Sequence, residues 1–205
     1  MLTRRTTIIL AAATAFAVIQ PWGGWPAWAQ SDPPAEILVS NTSDALVAIV
    51  NSEDTAQEKR RRLRDVVDSA VDDQDIGRFC LGRFWRLATP EQQKQYLVLF
   101  HDLLVTKIAA HLGEYHGVRV TMGPGRASAS TAIVTTTVER PGTPAYQVEW
   151  VVSPTAGGPK IVDLLAGGTS LRLTQSSDFA SYLARHQYSI HELIEGMRQL
   201  AANTR

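Results

Sequence analysis

The chain has 205 residues, and its 20 lysines and arginines balance its 20 aspartates and glutamates, so its formal net charge at neutral pH is zero. Such a chain lacks the excess of cations with which proteins bind nucleic-acid phosphates, so we expect no nucleic-acid partner. Its one cysteine, Cys80, has no partner for an internal disulfide, which excludes a disulfide-stapled scaffold. Because Cys80 lies between Phe79 and Leu81, we expect a buried, unreactive thiol.

The first 29 residues have the pattern of a secretory signal peptide. Arg4 and Arg5 precede an uncharged run from residue 8 to residue 19, and Ala27-Trp28-Ala29 matches a small-x-small cleavage site. The run has 12 residues, whereas a bilayer-spanning helix needs about 20. No cysteine follows the predicted cleavage after Ala29 to carry a lipid, so we expect an exported, soluble domain of residues 30–205.

Four helices are predicted before any strand. Thr55 and Glu58 have the spacing of a capping box at the start of the second helix. Thr89, Pro90 and Gln92 place an N-cap, a proline and a capping glutamine at the start of the fourth and longest one. The predicted helices cover about 35–51, 56–71, 75–87 and 90–114.

The fourth helix is apolar over an unusually wide arc. One stripe at helical spacing comprises Tyr96, Phe100, Leu103, Leu104, Ile108 and Leu112. Further apolar residues widen the stripe beyond what a surface helix needs; they are Leu97, Val98, Leu99 and Val105. This breadth indicates either a core helix that is covered on several sides or a helix that partly faces a cavity.

After residue 116 the apolar period changes from helical to two. Tyr146, Val148, Trp150 and Val152 alternate with more polar residues, which indicates one buried face of an antiparallel meander. Two helices follow, and Ser189 and Glu192 form a capping box for the last of them. The predicted strands cover about 117–122, 128–139, 145–153 and 159–166, with Gly-Pro-Gly at 123–125 as the first turn, and the last helices cover about 174–186 and 190–202. Helices, then strands, then helices predict an α+β fold.

The sequence contains no recognisable catalytic or metal-binding motif. The histidines are not spaced as a ligand set, and neither a nucleophile elbow nor a phosphate-binding glycine loop is present; the histidines are His101, His111, His116, His186 and His191. Asp163 interrupts an apolar strand. It is either a general base in a pocket or a structural carboxylate that accepts bonds from nearby backbone donors, and we favour the second.

A run of basic residues covers 58–65 in the second predicted helix, with Arg60, Arg61, Arg62 and Arg64 as its centre. It is either a solvated helix face with acidic flanks or a docking surface for an acidic partner or an anionic lipid surface.

Two segments carry a resemblance to a known family. One comprises Asp163, Gly168-Thr169-Ser170-Leu171 and Thr174-Gln175 followed by Asp178-Phe179; the other comprises residues 81–86, Leu-Gly-Arg-Phe-Trp-Arg, followed by Thr89-Pro90-Glu91-Gln92 and Phe100. They resemble the signatures of MlaC-type periplasmic phospholipid-binding proteins, the toluene-tolerance auxiliary family, which includes hopanoid-associated relatives. The resemblance extends over essentially the whole chain after residue 29. It departs at Ser176, where relatives commonly have arginine.

The resemblance implies an NTF2-like, curved antiparallel sheet of about four strands, packed by N- and C-terminal helices around an apolar cavity. It implies a monomeric carrier without catalytic residues or cofactors, whose cargo is a phospholipid or a hopanoid. Its implied partners are an inner-membrane ABC transporter with an MCE-domain subunit and an outer-membrane lipoprotein complex.

A cargo with two acyl chains requires a large apolar lining. Water exposure costs about 0.8 kcal/mol per methylene, so both tails must be buried. We expect the lining to come from the long helix and the strands, namely Tyr96, Phe100, Leu104, Ile108, Val148, Trp150, Val152 and Ile161.

Two other functions stay open at this point. One is an NTF2-like enzyme for a small hydrophobic substrate, with Asp163 as base and Tyr96 or Tyr146 as proton donor. The other is an envelope adaptor that binds through its basic helix without carrying lipid. The sequence does not indicate the direction of lipid transport.

Overall fold

The computed structural model describes residues 32–127 and 130–203. The predicted signal peptide lies outside the described residues. No helix in the described ranges is long and apolar enough to cross a membrane.

Along the described chain, helices precede and follow one antiparallel meander, which confirms the α+β prediction. The helices are α1 (Pro33–Val50), α2 (Ala56–Ala70), α3 (Asp73–Leu81), α4 (Pro90–His111), α5 (Leu171–Arg185) and α6 (Ile190–Asn203), with 3-10 helices at Gly82–Arg86 and Leu112–Tyr115. The strands are β1 (Arg119–Ala127), β2 (Ala132–Glu139), β3 (Tyr146–Thr155), β4 (Gly158–Ala166) and β5 (Thr169–Ser170). The strand order β1-β2-β3-β4-β5 follows the chain, and each neighbouring pair is antiparallel.

Local capping explains where three helices begin. Asp32 accepts a hydrogen bond from the Ala35 amide, and prolines fill the first turn, so α1 begins two residues earlier than predicted. Thr55 and Glu58 form the predicted capping box of α2. The Ser170 hydroxyl accepts a bond from the Leu173 amide at 3.0 Å, so α5 begins at Leu171 and not near 174.

The predicted helix at 75–87 is two elements. Helix α3 ends at Leu81, and its C-cap Gly82 has a φ of +56°, in the left-handed region that favours glycine. The chain continues as the 3-10 helix Gly82–Arg86.

The prediction of a Gly-Pro-Gly turn at 123–125 is wrong. These residues lie inside β1, where the register with β2 shifts between Met122 and Gly125. Proline is tolerated there because β1 is an edge strand and because a residue in a bulge does not need to donate a cross-strand hydrogen bond. Gly125 also permits a close approach, since a Cβ at that position would stand 2.6 Å from the Glu36 carboxylate.

In the described ranges, four apolar interiors fill the spaces between these elements, and one of them is built around Val50, Val118 and Val138. The sheet interior lies between the sheet and helices α1 and α2 and is built around Ala35, Val39, Ala70, Ala132, Val134, Trp150, Val152 and Ile161. The helical interior joins α3, α4, α5 and α6 around Cys80, Leu81, Phe84, Tyr96, Phe100, Leu183, Leu193, Ile194 and Met197. A smaller interior between α2 and α4 is built around Leu63, Val67 and Val105.

Candidate functional site

The inner face of the sheet is the best candidate for an apolar binding surface. Trp150 on β3 lies opposite Val134 on β2 and opposite Leu164 on β4. Val152 lies opposite Ala132 and, after a register shift, opposite Ile161. Because these partners share one face across three strands, their side chains form a continuous apolar surface.

Two helices cover this surface closely. Ala35 and Val39 of α1 and Ala70 of α2 are buried against it. The junction of α2 and α3 is fastened to the sheet, since the Asp72 amide donates to the Ile161 carbonyl at 2.9 Å. Packing of the sheet by N-terminal helices was predicted, but the predicted lining named no residue of α1 or α2, although Ala35, Val39 and Thr42 recur at helical spacing on α1.

Six of the eight predicted lining residues lie in or beside the sheet interior. Trp150, Val152 and Ile161 belong to it and Val148 packs against it. Leu104 and Ile108 pack in the interior between α2 and α4. Leu46 and Val71 contact both interiors and so make them neighbours.

Tyr96 and Phe100 lie in the helical interior instead. Tyr96 is fully buried, and its hydroxyl donates to the Gly77 carbonyl at 2.9 Å. Phe179 meets both rings edge-on. Burial raises the pKa of the Tyr96 phenol, so the group stays protonated. The eight-residue lining stays a prediction, but the structure does not bring these two residues together with the other six.

The inner face also contains polar groups that bond to one another. The Trp150 indole N–H donates to the Thr136 hydroxyl at 2.9 Å, and both residues are buried. At the start of β3, burial together with a hydrogen bond to Tyr115 raises the pKa of Tyr146 to about 12. The Trp150 indole, the Thr136 hydroxyl and the Tyr146 phenol are all neutral at physiological pH, so they add no charge to the apolar face.

Asp163 fastens the end of the sheet to helix α5. Its carboxylate accepts bonds from the amides of Leu164 at 2.8 Å and Arg172 at 3.0 Å, and from the Ser170 hydroxyl. The Arg172 guanidinium lies 4.0 Å from this carboxylate and stacks over the Phe79 ring at 4.1 Å. These contacts confirm the structural interpretation of Asp163 and leave little capacity for a catalytic base.

A groove of about 550 Å³ lies at the edge of the sheet, between the first half of α1 and the bulge of β1. It is lined by Pro33, Glu36, Ile37, Ser40, Met122, Gly123, Pro124 and Gly125. A second groove, of about 470 Å³, lies between α4 and α6. None of the predicted lining residues borders either groove.

The histidines and carboxylates of the described ranges do not form a metal-binding cluster. No group of three histidine, cysteine or acidic side chains is close enough there to hold a metal ion. His101 lies between two carboxylates, with Nδ1 2.9 Å from Asp73 and Nε2 3.4 Å from Asp68. These contacts connect α4 to the neighbouring helices.

Acidic neighbours neutralise part of the basic run of α2. Arg62 pairs with Asp54 and thereby lowers the pKa of that carboxyl. Arg64 pairs with Asp102 of α4 at 2.9 Å. These pairs favour the interpretation of a solvated helix face with acidic flanks.

Ser176, where relatives commonly have arginine, lies half-buried on α5. Its hydroxyl donates to the Cys80 carbonyl at 3.3 Å. The contact connects α5 to the end of α3, so this position supports packing between helices in this chain.

Comparison with known proteins matches a family model and, among solved structures, a phospholipid-binding protein. The family model described as MlaC protein matches residues 40–199. The structure is that of the phospholipid-binding protein from Ralstonia solanacearum in complex with a phospholipid. It is 25% identical in sequence and superimposes with a TM-score of 0.72, over 83% of this chain and 98% of the Ralstonia chain.

Proposed function

The chain belongs to the MlaC family, and on that premise we propose that it is a soluble periplasmic carrier that binds a phospholipid and moves it between membranes. The observation that carries this proposal is the likeness to a phospholipid-bound protein along 98% of that protein's length. A likeness of that extent includes both the sheet and the helices that cover it.

The cargo determines what the carrier must bury. At about 0.8 kcal/mol per methylene, roughly 30 methylenes in two acyl chains represent on the order of 25 kcal/mol of unfavourable hydration. A carrier therefore has to remove nearly all of both tails from water. The polar headgroup can stay in solvent, which agrees with the apolar character of the inner face.

We place the tails between the inner face of the sheet and helices α1, α2 and α4. The proposed lining is Leu104, Ile108, Val148, Trp150, Val152 and Ile161, while Tyr96 and Phe100 support the helix packing behind it. Val39, Val134 and Val152 are almost fully buried, so the interior is filled by side chains. Binding then requires the helices and the sheet to separate.

The surrounding pathway follows from the family resemblance. We propose that residues 1–29 direct export, that residues 30–205 act as a monomeric lipid-binding domain, and that an ABC transporter with an MCE-domain subunit and an outer-membrane lipoprotein complex exchange lipid with it. The phospholipid in the Ralstonia relative favours phospholipid over hopanoid as cargo. We propose no catalytic activity, because Asp163 and Tyr96 are hydrogen-bonded within the fold.

The test compares two substitutions on α4. Ile108 is half-buried and belongs to the proposed lining, and Val98 is 58% exposed on the same helix. Ile108→Gln introduces an amide that lacks partners among the tails, so we expect about tenfold weaker uptake of phospholipid from vesicles. Val98→Gln is the matched control and should bind as the parent does.

The measurement combines two readouts. Lipid extracted from protein purified from its native host is identified by mass spectrometry, and uptake from vesicles is followed with fluorescent phospholipid. Protein that is free of lipid and takes up none would refute the carrier function. Equal uptake by the Ile108 and Val98 variants would leave the function intact and refute the placement of the tails.

A further inference from the structure

A second surface, remote in sequence from the proposed lining, combines arginines with exposed apolar side chains. It is formed by the 3-10 helix Gly82–Arg86, the end of α3 and the turn between α5 and α6. We call it the cationic patch and define it by Arg78, Arg83, Trp85, Arg86, Leu87 and Tyr188.

The patch is strongly asymmetric in charge within a chain whose charges balance. Residues 76–90 contain three arginines and residues 183–191 contain one, whereas neither segment contains an aspartate or glutamate. Asp75, Glu91 and Glu192 lie just outside these segments. Within the described part of the chain, Arg83 and Arg86 form no ion pair. Their charge is therefore available to an external anion.

Ring contacts join the two segments into one surface. Tyr188 stacks on Phe84 with 5.9 Å between ring centroids, and the Arg83 guanidinium lies over both rings at 4.9 and 5.9 Å. Arg78 lies 5.5 Å from the centroid of the Trp85 ring. Arg83 and Arg86 are one turn apart on the 3-10 helix, so their side chains point to the same side.

The backbone holds Tyr188 in an unusual conformation. Gln187 and Tyr188 have φ values of +54° and +59°, in the left-handed region that side chains other than glycine rarely adopt. The Tyr188 amide donates to the Leu183 carbonyl at 2.7 Å and thereby closes the end of α5. Strained backbone of this kind is commonly retained where it places a functional side chain. Here it places the Tyr188 ring beside Arg83.

Two members of the patch, Leu87 and Tyr188, project into solvent. Leu87 is 71% exposed and Tyr188 is 55% exposed, although both are large enough to pack in a core. Leu87 directly follows Arg86 at the end of the 3-10 helix. Leu87 is therefore an exposed apolar side chain next to the arginines of the patch.

We propose that the cationic patch docks the protein onto an anionic phospholipid bilayer. Arginines pair with lipid phosphates, tyrosine and tryptophan favour the boundary between headgroups and acyl chains, and a projecting leucine can enter that boundary. An acidic protein could bind the same arginines, but the protruding Leu87 would then need a matching pocket. Soft lipid accepts it without one.

Two arginines at the centre of the basic run of α2 differ from those of the cationic patch. The α2 arginines Arg62 and Arg64 are held by carboxylates of this chain. Those ion pairs would have to break before the arginines could bind lipid phosphates, whereas Arg83 and Arg86 are already oriented outward with their aromatic neighbours.

The experiment measures co-sedimentation of full-length mature protein, preloaded with phospholipid, with vesicles of phosphatidylcholine and phosphatidylglycerol at three to one. The test variant is R83Q/R86Q. The matched control is R61Q/R119Q, which removes the same charge from arginines that are also exposed. L87Q tests the apolar contribution, and thermal unfolding followed by circular dichroism checks that each variant is folded.

We expect the parent protein to bind these vesicles, to bind pure phosphatidylcholine weakly, and to dissociate as salt is raised. At about fivefold per arginine, R83Q/R86Q should bind about 25-fold more weakly, while R61Q/R119Q should lose little. L87Q should also weaken binding. Absence of parent binding to phosphatidylglycerol vesicles, or equal losses in the two double variants, would overturn the proposal. Lipid uptake is measured separately, so a failure here leaves the carrier function standing.

Discussion

At the scale of single residues, the inner face of the sheet combines apolar packing with a buried hydrogen bond. The Trp150 indole and the Thr136 hydroxyl bond at 2.9 Å, away from solvent. If either group lost its partner, the other would remain desolvated without compensation, which is the expensive outcome for a buried polar group. The pair therefore constrains the register of β2 against β3.

A double-mutant cycle tests this pair. T136V leaves the indole N–H without its acceptor and should cost about 1–3 kcal/mol of unfolding free energy. In W150F/T136V both polar partners are gone, so the loss should be about 1 kcal/mol smaller than the sum of the two single losses. Urea denaturation measures each value. Thr137 points to the opposite face of β2, so W150F/T137V is the control and should be additive; the same additivity for Thr136 would contradict the coupling.

At the scale of elements, the connection between β4 and α5 depends on one carboxylate. Asp163 accepts bonds from two backbone amides and from the Ser170 hydroxyl, which also caps α5. Gly167 and Gly168 supply the positive φ values of the short turn between β4 and β5. The family signature around Asp163 is thus explained as an anchor for helix α5.

Asp163→Asn should destabilise the fold, because the amide nitrogen that replaces one oxygen cannot accept a bond from these donors. We expect a loss of about 2 kcal/mol in unfolding free energy. Asp178→Asn on the exposed side of α5 is the matched control and should change the value by less than about 0.5 kcal/mol. If the two variants proved equally stable in urea, Asp163 would not be the anchor.

At the scale of the whole molecule, the buried thiol reports the integrity of the helical interior. Cys80 is 3% exposed, and burial raises its pKa to about 12. A thiolate can therefore form at neutral pH only after the helices have separated. This confirms the expectation of a buried cysteine.

Native protein at pH 8 should resist iodoacetamide, whereas unfolded protein should react quickly. The pKa of Cys80 is higher in the folded state than in the unfolded state, so the unfolded state loses this proton first. The contribution to stability is complete below pH 9 and is lost as the pH rises from about 9 towards 12. The parent should lose more unfolding free energy over that range than C80A does, and rapid native labelling would contradict the structure.

Local signals in the sequence predicted much of this fold. The capping residues Thr55 and Glu58 begin α2 as predicted, and the alternation of Tyr146, Val148, Trp150 and Val152 identified the inner face of β3. The Gly-Pro-Gly segment was misassigned because turn residues also occur in bulges, and only the pairing with β2 distinguishes the two. For the candidate site, periodicity found the apolar residues but not their partners.

The sequence by itself determined which residues are apolar on each helix and strand, the order of the elements and the burial of Cys80, because these depend on periodicity and on nearby residues. The tertiary structure decided which apolar surfaces meet. It divided α4 between interiors, so that Tyr96 contacts α3 and α5 while Ile108 faces α2. It also decided which arginines are paired, since Arg64 meets Asp102 from 38 positions away. Such contacts depend on how distant segments pack, and spacing along the chain does not specify that.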